Sequence, residues 1–103
     1  MGKAEHYVEG YLYDRTKKSG GLCLKFLSGI SGVPDRIVIL AGKTVFVETK
    51  APGGKPRRLQ LIRHDEIRAA GGDVRIIDTR PQVDELIAEL LGTITDPDKE
   101  QEP

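Results

Sequence analysis

The sequence predicts an α/β domain, a mixed β-sheet flanked by helices on both faces, with elements in the order αβββαβα. Three observations carry that expectation. Two runs dense in Val, Ile, Thr and Phe, residues 35–40 and 43–50, are joined only by Ala41-Gly42, which is the pattern of a β-hairpin. Within the first run, Ile37-Val38-Ile39-Leu40 is apolar at every position, so both faces of its sheet need cover. Helix-length segments bounded by Gly or Pro precede and follow the hairpin.

Residues 4–18 read as the first helix, with Tyr7, Val8, Tyr11 and Leu12 forming one apolar stripe. Gly10 costs that helix about 1 kcal/mol relative to Ala. Gly20-Gly21 ends it, and Lys17 and Lys18 sit in the last turn, where the helix dipole favours cations. Residues 22–27 (LCLKFL) read as a short strand, and residues 28–34 (SGISGVP) as a loop. After the hairpin, residues 51–58 (APGGKPRR) form a loop, because two prolines and two glycines exclude regular structure. A second helix over 59–70 stops at Gly71-Gly72. A strand over 73–78 follows, then a helix over 80–91 with Pro81 in its first turn. The domain is expected to span residues 1–94, with 95–103 an acidic, flexible tail.

Composition narrows the class. The chain has 103 residues, 38% of them hydrophobic and 31% charged, which is too apolar for disorder and suits one domain. No apolar run approaches the ~18 residues of a membrane span, and the charged N-terminus lacks the apolar core of a signal peptide. A single cysteine, Cys23, excludes an internal disulfide framework and fits a reducing compartment. A cytoplasmic protein is therefore expected. Two histidines are too few for a structural zinc site, and Gly53-Gly54 belongs to no phosphate-binding P-loop, so no nucleotide cofactor is expected. The net charge of zero divides unevenly: residues 1–80 carry a net +6 and residues 81–103 a net −6. A basic body could bind a polyanion.

The residues with chemistry lie on the hairpin. A two-residue turn at Ala41-Gly42 sets Asp35 opposite Glu48 with both side chains on one face, and Lys50 shares that face. A four-residue turn keeps this arrangement; a three-residue turn breaks it. Two carboxylates ~5 Å apart repel by roughly 3 kcal/mol at an effective dielectric of about 20. Such a pair calls for a cation between the oxygens or a shared proton. Hard oxygen donors favour Mg²⁺ or Mn²⁺, whose open positions support metal-assisted phosphodiester hydrolysis. Lys50 would orient the attacking water or stabilise charge on the transition state. The plainer alternative makes Glu48 and Lys50 an exposed ion pair and Asp35 a turn cap. Three features weigh against it: the strands pair, Pro34 precedes the aspartate, and a basic glycine-rich loop follows the lysine.

The blocks SGVPDRIVIL and TVFVETKAPGGKPRRLQ resemble the VRR-NUC (virus-type replication-repair nuclease) domains of the PD-(D/E)xK superfamily, with the likeness running over roughly residues 5–90. The small size resembles the stand-alone phage and bacterial members. The resemblance implies a restriction-endonuclease-like core and a divalent-metal-dependent nuclease acting on DNA, structure-selective for branched, junction or flap substrates. It implies that Asp35 and Glu48 are metal ligands, Thr49 a third ligand through its backbone carbonyl, and Lys50 the catalytic lysine. It further implies that Glu9 is the acid of the first helix, acting through metal-bound water, with Glu5 the competing choice, and that Gln60 points at the active site. Two active sites suit symmetric cutting of two strands, and the resemblance implies dimers among the small members, so a homodimer is expected.

Lys55, Arg57 and Arg58 match no family motif, but beside such a centre they are expected to contact phosphates, with Arg36 grouped among them. His64 shares the helix face of Gln60 and is expected at the surface. Cys23 reads as a small core residue. Tyr7, Tyr11 and Tyr13 could stack on bases, though Tyr7 and Tyr11 fit the packing stripe of the first helix better. Three other functions compete: a restriction-type enzyme with base readout, for which 103 residues leave little surface; a non-catalytic nucleic-acid-binding module on the same fold; and an interaction domain with a chance motif.

Overall fold

A computed structural model describes residues 3–92, with side chains from residue 6 onward. The Glu5 side chain and the expected tail over 95–103 lie outside what is described. The hairpin sets the frame: β2 (Arg36–Leu40) and β3 (Lys43–Thr49) pair antiparallel, with Arg36 opposite Val47 and Leu40 opposite Lys43. Ala41 and Gly42 take φ of 54° and 78°, so both turn residues are left-handed. That is the type I′ hairpin, whose twist matches the strands it joins. The two-residue turn on which the placement of Asp35 and Glu48 depended is thus present.

β1 (Leu22–Lys25) adds antiparallel to the free edge of β2, and β4 (Val74–Ile77) adds parallel to β3, giving the order β1-β2-β3-β4. A parallel neighbour requires a crossover, which α2 (Arg58–Ala69) supplies. α1 (Lys3–Lys18) and α3 (Arg80–Leu91) lie together on the opposite face. The predicted order αβββαβα is the observed one.

Alternation along the strands sorts the two faces. Val38 and Leu40 of β2 and Val45 and Val47 of β3 bury against Val8 and Leu12 of α1 and Val83, Leu86, Ile87 and Leu90 of α3, with Cys23 and Ile77 in the same cluster. α3 is held at both ends. Thr79 Oγ1 accepts the Gln82 N–H while Gln82 Oε1 accepts the Thr79 N–H, and Gly92 closes the helix at φ 75°.

Three expectations are corrected. Cover on the second face is incomplete: α2 lies over the Glu48 side of the sheet, whereas Leu22 and Leu24 of β1 stay 57% and 45% exposed beside the half-buried Ile39 and Ile37. Tyr7 leaves the packing stripe and is exposed, because the Arg80 guanidinium at the start of α3 stacks 3.4 Å from its ring centre. β1 stops at Lys25 rather than residue 27; one more bond, from Phe26 N–H to the Asp35 carbonyl, is made before the chain leaves the sheet. No described helix is long and apolar enough to cross a membrane.

Candidate active site

The site begins where β2 begins. The register places Asp35, the residue before β2, opposite Glu48 near the end of β3. One step further, Thr49 would face Pro34, which has no N–H to offer the sheet. That missing donor leaves the Thr49 carbonyl without a ladder partner on this edge. On the same edge Thr49 N–H donates to Asp35 Oδ1 at 3.2 Å, and Thr49 Oγ1 donates to Asp35 Oδ2 at 3.0 Å. A local irregularity encoded by Pro34-Asp35 thus gathers a carboxylate and a backbone carbonyl at one spot.

Glu48 is almost fully buried, yet its carboxylate is well supplied with contacts. Gln60 Nε2 donates to Oε2 at 3.2 Å, and Lys50 Nζ lies 3.5 Å from the same oxygen. Gln60 is itself fixed, because its Oε1 accepts the Arg57 N–H at 2.8 Å in the first turn of α2. The arrangement of Asp35 and Glu48 is therefore tempered by donors on each carboxylate, which softens the bare repulsion expected from the sequence. Lys50 is held in place by its backbone, which donates to the Ile77 carbonyl at 2.8 Å. The loop that follows is tied to β4 by Gly53 N–H, which donates to Asp78 Oδ2 at 2.9 Å.

The expectation that His64 lies at the surface is corrected: it has no exposed area. It sits one turn after Gln60, with Nε2 3.6 Å from Glu48 Oε1. Burial pushes the His64 pKa down, and the charges of Arg68 and Lys50 act in the same direction. The i, i+4 spacing from Gln60 was the available signal; what hid its meaning was that α2 docks with this face inward.

The structure brings Asp35, Glu48, Thr49, Lys50 and Gln60 together, and pairs two other candidates, Glu9 and Arg36, with each other. The Glu9 carboxylate accepts from Arg36 Nε at 2.8 Å and lies 4.0 Å from Lys25 Nζ. The Arg36 guanidinium also reaches the Cys23 carbonyl at 3.5 Å and is largely buried. Arg36 thus has internal partners, unlike the loop cations with which the sequence groups it. Lys55, Arg57 and Arg58 are exposed. Arg57 caps α2 and Arg58 opens it, with no acidic residue in the first turn, so both cations stand at the positive end of the helix dipole.

Among the described residues no group of three or more His, Cys, Asp or Glu side chains forms a ready-made metal cage. Asp35, Glu48 and the Thr49 carbonyl instead offer a sparse, all-oxygen donor set. That chemistry fits Mg²⁺ or Mn²⁺, which keep waters and substrate oxygens in their remaining positions, and fits zinc poorly.

An aspartate at the head of one strand, facing Glu-Thr-Lys at the end of its antiparallel neighbour in a helix-flanked mixed sheet, defines the PD-(D/E)xK nuclease fold. A solved structure described as "VRR_NUC domain" superposes with a TM-score of 0.77 and 38% identity, covering 84% of this chain and 96% of that one. "Putative nuclease p44" of Acyrthosiphon pisum secondary endosymbiont phage 1 is 45% identical over 78 residues, 74% of this chain and 84% of the relative. No family model matches the chain. The chain belongs to the VRR-NUC family of nucleases.

Proposed function

We propose that this protein is a divalent-metal-dependent endonuclease that hydrolyses DNA phosphodiester bonds, selecting branched substrates such as junctions or flaps in replication, repair or recombination. The observation that carries the reading is the convergence of Asp35, Glu48 and Lys50 at the ends of two paired strands, with Lys50 Nζ 3.5 Å from Glu48 Oε2. Asp35, Glu48 and the Thr49 carbonyl would hold Mg²⁺ or Mn²⁺, which when bound supplies Lewis-acid activation of the phosphate and of water. Lys50 orients the attacking water through its ammonium protons and offsets negative charge as it builds on the phosphate oxygens. Gln60 keeps the Glu48 carboxylate from rotating away. The exposed Lys55, Arg57 and Arg58 supply backbone contacts that place the scissile phosphate.

A domain this small presents one site, so cutting two strands symmetrically calls for a two-fold dimer. The uncovered Leu22 and Leu24, with the exposed Leu27 and Ile30 in the next loop, provide apolar surface that such a pairing could use. Light scattering coupled to size exclusion reads the mass directly.

The test is cleavage of labelled duplex, flap and four-way-junction DNA with Mg²⁺, Mn²⁺ or EDTA, using wild type and Glu48→Gln. Metal-dependent cutting of the branched substrates, abolished by the substitution, is expected. Cleavage by Glu48→Gln at the wild-type rate would show the metal-nuclease reading to be wrong, and DNA binding without cleavage by wild type would favour a non-catalytic module.

A further inference from the structure

Glu48 is addressed by one face of α2 at two points. Gln60 donates to Oε2 at 3.2 Å, and His64 Nε2, one turn later, lies 3.6 Å from Oε1. The imidazole has no solvent exposure, and neither ring nitrogen has a hydrogen-bond partner among the described residues. A buried donor left unmade is costly and uncommon in folded proteins. A ring kept only for packing would be replaced by Leu or Ile at no such cost. The gap to Oε1 exceeds an ordinary N–H···O bond by roughly half an ångström. A shift of that size in the imidazole closes it, while Gln60, pinned by the Arg57 N–H, keeps its bond to Oε2.

We propose that His64 is a positioning residue for Glu48: its Nε2–H donates to Oε1, so that two donors one helical turn apart fix the plane of the carboxylate and aim its remaining lone pairs at the metal site. The inference rests on the nuclease reading for its purpose, though not for its geometry. A carboxylate oriented this way binds metal without first losing rotational freedom, and substituting such a supporting partner lowers metal affinity or activity about 10–100-fold.

Three measurements test it. In the metal-free wild-type protein, long-range nitrogen–proton correlation spectra of the imidazoles report which ring nitrogen of His64 carries the proton. The proposal expects Nε2, with a resonance that moves in Glu48→Gln; a proton on Nδ1, or no response to Glu48→Gln, overturns it. In calorimetric titration with Mn²⁺, His64→Leu fills the space without a donor and should bind ~10–100-fold more weakly. His64→Gln, which restores an N–H at similar reach, should recover most of that loss. In cleavage assays His64→Leu should lower kcat and leave KM for DNA nearly unchanged. Equal Mn²⁺ affinity in wild type and His64→Leu, or a folded His64→Gln no better than His64→Leu, overturns the proposal. If wild type cuts no DNA, the nuclease reading fails, while the spectra and the Mn²⁺ titrations still decide the role of His64.

Discussion

Gln60 and Glu48 are joined by a bond of 3.2 Å from Nε2 to Oε2, and the other end of the same amide accepts the Arg57 N–H that opens α2. One side chain therefore serves as a helix cap and as a clamp on the site. The two uses fix the amide orientation, since only its oxygen can accept and only its nitrogen can donate.

This dual use makes the Gln60 variants informative. Gln60→Ala should cost about 1–2 kcal/mol of stability, for the lost cap and the bond to a carboxylate, and should slow cleavage. Gln60→Glu keeps the cap acceptor but sets a second carboxylate against Glu48. It should retain more stability than Gln60→Ala at acidic pH and slow cleavage at least as much. Thermal melts at two pH values with single-turnover cleavage check both statements.

Asp35, Glu48 and Lys50 should separate by role. Asp35→Asn and Glu48→Gln should each abolish cleavage and weaken Mn²⁺ binding. Stability should change by no more than about 1 kcal/mol, because each carboxylate is already bonded and the lost attraction roughly offsets the relieved repulsion. Lys50→Ala should stop cleavage while Mn²⁺ still binds, since an ammonium is no metal ligand. Calorimetry and junction cleavage on the three variants test this.

The loop cations should act on binding rather than chemistry. Replacing Lys55, Arg57 and Arg58 with Ala should weaken DNA affinity and reduce the slope of log K against log salt by roughly 2–3. Single-turnover cleavage at saturating DNA should be much less affected. An unchanged salt slope would remove these residues from the DNA path.

Ala41 adopts φ 54°, a conformation that side chains with a Cβ disfavour and Asn tolerates. Ala41→Asn should stabilise the type I′ turn by about 0.5–1 kcal/mol, raising Tm by roughly 3–6 °C. A lower Tm would mean that the turn is not under this strain.

Cys23 lies in the core, and burial pushes its thiol pKa up. It should react slowly with an aromatic disulfide reagent near pH 8 and rapidly once the chain is unfolded in guanidinium. Fast labelling of the native protein would show that the β1 edge opens readily.

Much of this protein was legible in the order of its residues because the decisive interactions are local. A two-residue Ala-Gly turn permits one register, and that register alone puts Asp35 opposite Glu48. Period-two alternation places Lys50 on their face, and Pro34 ends the ladder where the Asp35 carboxylate takes over. Gly20, Gly71 and Pro81 mark helix ends through backbone geometry that needs no partner. What only the tertiary structure decided is how the helices dock. Gln60 and His64 share a helix face in any case, but only the seating of α2 turns that face onto Glu48 and buries the imidazole. Likewise Glu9 and Arg36 are 27 positions apart, and their pairing follows from α1 crossing the sheet beside β2. Helix periodicity shows which residues lie together on a face, whereas what that face meets depends on close packing between segments distant in sequence.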